Sequence, residues 1–219
     1  SKSAAQVSVS TASASPWHKE LFNLNNINHV LNINDLSFLI GPILNAGGRL
    51  GKSNYASNLL SSNNKRFINA KSNELVAMNN KRKKIEKLII DEIDFKKLEK
   101  DNKNVIIYYS PNINEGLIGI IASRLKDYFN KPSIVITNSN NFLKGSARSM
   151  NYYNIGRAIK NLSDNNIIIS GGGHNMAAGF TLKKDKLKNF KDFILDDFLS
   201  KNILNNNIFS YDAEVSSFA

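Results

Sequence analysis

The sequence contains no cysteine, and this absence excludes disulfide bonds and thiolate metal sites. It is consistent with a reducing compartment, so we expect a cytoplasmic protein. No apolar run approaches the length that crosses a membrane, and we expect no membrane partner. Residues 1–16 are rich in serine and alanine but lack the apolar core of a secretory signal, which predicts a disordered leader.

Acidic side chains are also scarce. Asp and Glu number 18 against 29 Lys and Arg, which gives a net charge of +11. Such an excess of positive charge favours a polyanionic partner such as nucleic acid. The alternative is that a lysine-rich coding bias produces a basic surface that has no partner.

A run of three glycines is the most informative segment that is present. The β-branched stretch 167–169 predicts a buried strand, and Gly171, Gly172, Gly173 and His174 follow it. Glycine permits positive φ and lets a ligand approach the backbone N–H groups closely. The run therefore predicts a phosphate-binding loop with the imidazole as a neighbouring donor. The alternative is a glycine-rich hairpin whose histidine caps a turn.

Three further segments combine glycine with polar or cationic side chains. Residues 145–149 (Gly-Ser-Ala-Arg-Ser) offer two hydroxyls and a guanidinium, whose planar fork of donors suits phosphate oxygens. Residues 116–125 predict a helix that opens on a glycine and packs closely on a sheet. Residues 45–49 (Asn-Ala-Gly-Gly-Arg) place an amide and a second guanidinium among small residues.

In their order along the chain, the four segments resemble the RecJ branch of the DHH phosphoesterase superfamily. This branch comprises exonucleases specific for single-stranded DNA. The resemblance covers roughly residues 36–182, and its later part is similar to the DHH-associated domain. The glycine-histidine run marks the superfamily, whereas segments 45–49 and 145–149 indicate the RecJ branch. The resemblance implies 5′→3′ hydrolysis of phosphodiester bonds in single-stranded DNA during repair and recombination.

The resemblance also assigns roles to the side chains that would grip the strand. It implies that Asn45 and Arg49 hold the terminal phosphate. It implies that Ser146, Arg148 and Ser149 hold a neighbouring backbone phosphate.

Further roles concern the scissile phosphate and the bases. Gly171, Gly172, Gly173 and His174 would face the scissile phosphate and stabilise its developing charge, with His174 as the catalytic candidate. Alternatively, His174 orients a carboxylate that binds a metal. We further hypothesise that one of the tyrosines at 152 and 153 stacks on a base, although both could equally be core residues.

The metal-binding part of the family pattern is missing from this sequence. In the family, two Mn²⁺ or Mg²⁺ ions are bound by aspartates and histidines of a preceding DHH domain, and no such cluster precedes Leu36. We expect no metal in this chain, which would be part of a longer exonuclease and inactive alone. Single-stranded DNA is the expected partner, and a single-strand-binding protein or a helicase are further candidates. A second departure is Glu115, because the family commonly has a histidine just before the glycine of this segment.

Alternating strands and helices predict an α/β fold in which a helical lead-in and a long connecting helix precede a mixed sheet flanked by helices. The long helix is predicted over about 65–95, with Ile85, Leu88, Ile89 and Ile93 on its apolar face. Its other face, residues 81–84, is predicted to be solvated.

The predicted strands are 105–109, 133–137, 142–147, 167–169 and 179–182. The predicted domains are the leader 1–16, the end of a DHH domain with the connecting helix over 17–100, the DHH-associated domain over 101–203, and the start of an OB-type module over 204–219.

Three other functions are compatible with parts of the sequence. Residues 46–53 fit a relaxed nucleotide-binding loop, but Pro42 interrupts the apolar run that would have to precede such a loop as a buried strand. An ATPase is therefore rejected. A phosphodiesterase of the same superfamily that acts on oligoribonucleotides or cyclic dinucleotides stays open, as does a non-catalytic nucleic-acid-binding half.

Overall fold

A computed structural model describes residues 16–201 except 28, 30–32 and 103. The predicted leader, apart from Pro16, and the predicted OB-type segment lie outside the described residues. The first half of the described chain is helical and consists of α1 (Pro16–Leu24), a π-helix (Asp35–Ile40), α2 (Gly41–Arg49), α3 (Asn54–Leu60), α4 (Lys65–Asp91) and α5 (Phe95–Asp101). The second half consists of β1 (Ile106–Tyr109), α6 (Ile118–Phe129), β2 (Ser133–Ser139), β3 (Phe142–Arg148), α7 (Ile155–Asp164), β4 (Ser170–His174), β5 (Ala177–Leu182), a 3₁₀ turn (Lys184–Lys186) and α8 (Leu187–Ser200).

The long helix α4 connects the two halves by packing on both. Ile68 and Leu75 pack with residues of α1, α2 and α3, whereas Ile85 and Ile89 pack against the cluster around α6. Leu88 is 62% exposed, so its predicted place on the apolar face is wrong. The burial of these apolar side chains on two separate clusters holds the helical lead-in against the second half.

The predicted helix over 65–95 is two helices. Helix α4 ends at Asp91, and Asp94 begins α5 because its carboxylate accepts a hydrogen bond from the Lys97 N–H at 3.0 Å. Aspartate is a favoured N-cap for this reason. The rejection of the nucleotide-binding loop is consistent with the structure, since Gly47 and Gly48 lie inside helix α2 rather than in a loop after a strand.

The five strands form one mixed sheet in the order β1-β2-β3-β5-β4. Strands β1 and β2 are parallel and are connected through α6, while all other neighbours are antiparallel. The predicted mixed sheet flanked by helices is confirmed. No helix in the described part of the chain is both long and apolar enough to span a membrane.

The two faces of the sheet differ in their cover. On one face, Leu143, Ala147 and Phe180 are buried in a core with α7 and α8. On the opposite face, Ile106 and Val135 of the first two strands pack against α6. Helix α6 also crosses β3, whereas β5 and β4 lie beyond the helix, so their part of this face is left for the site described below.

The predicted strand at 167–169 is wrong, because the first two of these isoleucines belong to the end of α7. Asn166 has φ +55°, and the N–H of Ile167 donates to the carbonyl of Leu162 at 3.0 Å. This is the Schellman arrangement that satisfies the last carbonyls of a helix. Ile168 is buried in the core, and β4 begins only at Ser170.

Candidate nucleic-acid interface

An open face of small and polar residues runs across β3, β5 and β4. Alternate residues of a strand point to the same side, and residues paired across strands share that side. Because Leu143, Ala147 and Phe180 point into the core, their neighbours along each strand point outward. Three cross-strand rows make up this open face, each given from β3 through β5 to β4: Arg148, Ala177 and His174; Ser146, Gly179 and Gly172; Lys144, Thr181 and Ser170.

Arg148 lies at the end of β3, not in the loop after it, and its side chain is half-buried. One guanidinium nitrogen donates to the Ser146 hydroxyl at 3.1 Å and to the Ala147 carbonyl at 2.8 Å. Burial, and then the nearby charge of Arg49, lower the pKa of Arg148. The two guanidiniums therefore repel each other across the site, and an anion between them would relieve this repulsion.

Helix α6 crosses β3 at a glycine that makes room for this guanidinium. A Cβ on Gly119 would lie 2.9 Å from Nη2 of Arg148 and 3.2 Å from Oγ of Ser146. The first contact is shorter than real Cβ contacts, and the second is unusually tight. Gly119 therefore leaves the space that the Arg148 side chain occupies.

Helix α2 brings the second guanidinium to the same place. Arg49 donates through Nη1 to the carbonyl of Gly116 at 3.2 Å, and a Cβ on Gly116 would collide with the Arg49 backbone. Asn45 is exposed one turn earlier on α2. A cavity of about 360 Å³ lies between α2, α4, α6 and β3 and is lined by Ser37, Gly41, Pro42, Asn45, Arg49, Arg82, Glu86, Gly119, Ile120, Ser123, Arg124, Asp127 and Arg148.

A buried carboxylate forms the far wall of this cavity, and the sequence interpretation missed it. Glu86 accepts from Arg82 at 2.8 Å and from Arg124 at 2.8 Å, which joins α4 to α6. The side chain of Arg82 is only 11% exposed, so its predicted solvated position is wrong. The spacing of Arg82 and Glu86 by four residues is a signal for a helical ion pair, but nothing in the sequence indicates Arg124 as the third member.

Arg49 and Arg148 differ from these two arginines in their partners. Within the described residues, the ion pairs of the cavity wall are those of Glu86 and the Asp127–Lys126 pair. Neither Arg49 nor Arg148 has a carboxylate within ion-pair distance in that part of the chain. The cavity therefore presents two uncompensated guanidiniums, an arrangement suited to an anionic group.

The three glycines form the edge strand β4 rather than a phosphate-binding loop. Among the described glycines, positive φ occurs at Gly51, so residues 171–173 do not use the positive φ that glycine permits. A Cβ on Gly171 would lie 2.7 Å from Ile159, and one on Gly173 would collide with β5, whereas one on Gly172 would meet nothing within 4 Å. Packing explains two of the glycines, and the third keeps the open face flat.

His174 ends β4 in the same cross-strand row as Arg148. Its side chain is exposed, and no described residue makes a hydrogen bond or ion pair with its ring. The hairpin alternative is correct for the backbone, since β4 and β5 pair directly through a short turn. The imidazole itself points to the open face, where it is available to a ligand.

Three of the sequence candidates lie away from the open face. Ser149 is fully buried, and its hydroxyl donates to the carbonyl of Tyr153 at 2.6 Å. Tyr153 is also buried and donates to Asp197, so the core alternative holds for this tyrosine and stacking on a base is wrong. Tyr152 packs edge-on against Phe198 in the cluster of α7 and α8, on the side opposite the open face.

Replacing Gly119 with alanine tests how closely α6 positions Arg148. The added Cβ meets the flexible end of an arginine, so we expect the side chain to move while the fold keeps its stability. Affinity for single-stranded DNA should fall several-fold, since a displaced guanidinium loses directed hydrogen bonds. Fluorescence anisotropy and thermal melting measure the two effects. Gly48→Ala is the matched control, because a Cβ there meets nothing within 4 Å; equal DNA affinity of the two variants would contradict the assignment.

Known RecJ proteins resemble most of this chain. Residues 102–200 match the family model described as the DHHA1 domain. Over 165 residues the chain is 36% identical to the single-stranded-DNA-specific exonuclease RecJ of Escherichia coli strain K12. The aligned region is 72% of this chain and 29% of that protein. The chain is RecJ-like, and residues 102–200 are similar to the DHHA1 domain.

Other RecJ proteins share the same region. RecJ of Bacillus subtilis strain 168 is 32% identical over 159 residues, which is 71% of this chain and 20% of that protein. The crystal structure of RecJ in complex with Mn²⁺ from Thermus thermophilus superposes with a TM-score of 0.74 at 24% identity, over 86% of this chain and 28% of that chain. The fold is therefore shared, and the chain spans less than a third of the length of these RecJ proteins.

Proposed function

We propose that this chain forms the strand-binding wall of a RecJ-type exonuclease that degrades single-stranded DNA in the 5′→3′ direction. The observation that carries this proposal is the pair of guanidiniums, Arg49 and Arg148, which have no carboxylate partner among the described residues and lie at the end of an open sheet face. The proteins that match most of the chain are named single-stranded-DNA-specific exonucleases, which favours DNA over oligoribonucleotides or cyclic dinucleotides. Repair and recombination in the cytoplasm belong to the same proposal, with a single-strand-binding protein or a helicase as candidate partners.

The two guanidiniums bind two successive phosphates of the strand. Arg49 and Asn45, on one face of α2, hold the terminal phosphate in the cavity. Arg148 and Ser146 hold the next backbone phosphate, the guanidinium through a bidentate fork and the serine through its hydroxyl. Because Ser149 is buried beneath them, it supports the end of β3 instead of contacting the phosphate.

The remainder of the first cross-strand row faces the bond to be cut. His174 projects from β4 beside Ala177, and the small side chain of Ala177 leaves the space between imidazole and guanidinium open. An imidazole there can donate a hydrogen bond to a phosphoryl oxygen as negative charge develops on it. We assign His174 this role and give Gly172 the role of admitting the sugar-phosphate backbone close to the sheet.

The metal chemistry of such an enzyme needs a cluster of side chains that bind metal ions. No group of three His, Asp or Glu side chains able to hold a metal occurs among the described residues. In the complete enzyme, Mn²⁺ or Mg²⁺ bound elsewhere would activate the attacking water. The contribution of this chain is therefore to bind the strand, orient the phosphates and stabilise their charge, and we expect the chain alone to be inactive.

Binding and cleavage assays on the purified chain test the proposal together. We expect the chain to bind a 5′-phosphorylated single-stranded oligonucleotide more tightly than its 5′-hydroxyl form, because the cavity accommodates a terminal phosphate. Fluorescence anisotropy measures both affinities, and release of labelled nucleotide with Mn²⁺ measures cleavage. Mn²⁺-dependent release that is lost with Arg148→Ala would overturn the expected inactivity, and equal affinities for the two oligonucleotides would overturn the terminal-phosphate site.

A further inference from the structure

A second cation lies on the open face, at the other end of β3 from Arg148. Lys144 points to the same side of the strand, four residues away, which is about 13 Å at roughly 3.3 Å per residue. The row between them carries only the Ser146 hydroxyl and two glycines, Gly179 and Gly172. Helix α6 crosses β3 beside Ser146, so the uncovered path between the two cations runs next to that helix, over Gly179 and Gly172, which carry no side chain.

The surroundings of Lys144 form a concave site. A cavity of about 300 Å³ includes Lys144, Thr181 and Ser170, which form the third cross-strand row. Within the described residues, the hydroxyls of Thr181 and Ser170 have no side-chain hydrogen-bond partner. One ammonium group and two available hydroxyls in a row can together bind the oxygens of one phosphate.

Glu115 forms an ion pair with the ammonium group of Lys144. Its carboxylate lies 2.6 Å from the Lys144 ammonium and also accepts a short hydrogen bond from the Ser139 hydroxyl. These two bonds, that of Lys144 first, lower the pKa of Glu115. The negative charge of Glu115, which stands where the family commonly has a histidine, is thus neutralised within the protein. Both side chains are nearly half exposed, and exposed ion pairs of this kind are weak enough to exchange.

We propose that Lys144, Thr181 and Ser170 form a second phosphate subsite that takes an internal phosphate of the strand held at Arg148. Glu115 acts as the competing anion of this subsite, because DNA must displace it from the ammonium group. The subsite rests on the proposed function and deepens it, since it gives the strand a direction over the sheet from Arg148 to Lys144. A strand must be long enough to span the open face before Lys144 contributes to binding.

Length-dependent binding separates this subsite from the first. With a 5′-phosphorylated hexanucleotide, Lys144→Ala should lower affinity roughly five-fold, and it should reduce the slope of log affinity against log salt by about 0.7, the value for one lost single-strand phosphate contact. With a 5′-phosphorylated dinucleotide, which is too short to reach both cations, Lys144→Ala should leave affinity unchanged. Glu115→Gln should raise the affinity for the hexanucleotide, because it removes the competing charge.

A control variant and a comparison with Arg148→Ala distinguish the possible failures. Lys160→Ala removes an exposed lysine from α7, on the other side of the sheet, and should change neither affinity. If Lys144→Ala leaves hexanucleotide binding unchanged or weakens both lengths equally, while Arg148→Ala weakens both, the second subsite is refuted and the proposed function stands. If Arg148→Ala changes neither affinity, the proposed function itself fails. Weaker hexanucleotide binding by Glu115→Gln would overturn the competing role of Glu115.

Discussion

Arg148→Ala is expected to weaken binding of 5′-phosphorylated single-stranded DNA by about 10- to 100-fold, or about 1.5–3 kcal/mol, the range for hydrogen bonds to charged groups. The protein should remain as stable as the wild type. Arg148 is half-buried beside a second guanidinium and lacks a carboxylate partner within the described residues, so its removal relieves repulsion and breaks no ion pair. If Arg148 only packed against its neighbours, Arg148→Ala would lower the stability and leave the affinity for DNA unchanged.

Two further variants identify the reason for the loss. Arg148→Lys keeps the charge but not the planar fork, and we expect it to recover only part of the affinity. Arg66→Ala removes an exposed arginine near the start of α4, far along the chain from the cavity, and should bind almost as the wild type does. Anisotropy at two salt concentrations, with thermal melting of each variant, makes the comparison. Wild-type affinity in Arg148→Ala would show that the basic charge acts without a defined site.

Gly145→Ala is expected to produce the largest loss of stability, although a single methyl group is added. The new Cβ would collide with the ring of Phe180 on the neighbouring strand. That ring is buried and stacked on Phe190, with 4.5 Å between the centroids, so it has no free space into which to move. Overpacking of this kind costs about 1–3 kcal/mol and occasionally more.

Thermal or denaturant unfolding measures this cost directly. Gly48→Ala is again the control, since this glycine is exposed in α2 and alanine favours a helix by up to about 1 kcal/mol. In a Gly145→Ala background, Phe180→Leu should recover part of the lost stability, because the two positions are coupled by contact. Unchanged unfolding of Gly145→Ala would mean that β3 and β5 pack more loosely than the position of the Phe180 ring implies.

The glycines show where sequence interpretation succeeds and where it stops. The segments that contain them are recognisable as parts of a site, yet the reason for each glycine lies in a residue distant in sequence. Gly145 faces Phe180, Gly119 faces Arg148, and Gly116 faces the backbone of Arg49. A pattern of residues states that a side chain is absent but not which neighbour requires its absence. The strand predicted at 167–169 is wrong for a related reason, since its isoleucines cap a helix through contacts that β-propensity does not describe.

The sequence predicted only part of the candidate site, because some of its residues are brought together by tertiary packing alone. Arg49 and Arg148 belong to motifs, and resemblance indicated both of them before the fold brought α2 beside β3. Arg82 and Glu86 belong to a helix whose periodicity predicts a solvated face, and only the packing of α4 against α6 brings Arg124 to them. Local patterns therefore identified Arg49 and Arg148, whereas the ion-paired wall of the cavity depends on tertiary contacts.

Titration of the ¹⁵N-labelled protein with a 5′-phosphorylated single-stranded oligonucleotide, followed by ¹H–¹⁵N correlation spectra, tests the central claim most directly. Backbone amides report the position of a bound strand without any substitution. We expect the largest shifts at Gly172 and Gly179 on the open face and at Gly119 beside Arg148. Shifts confined to the lysine-rich surface of α4, or spread evenly over the basic surface, would contradict the claim that this face of the sheet binds the strand.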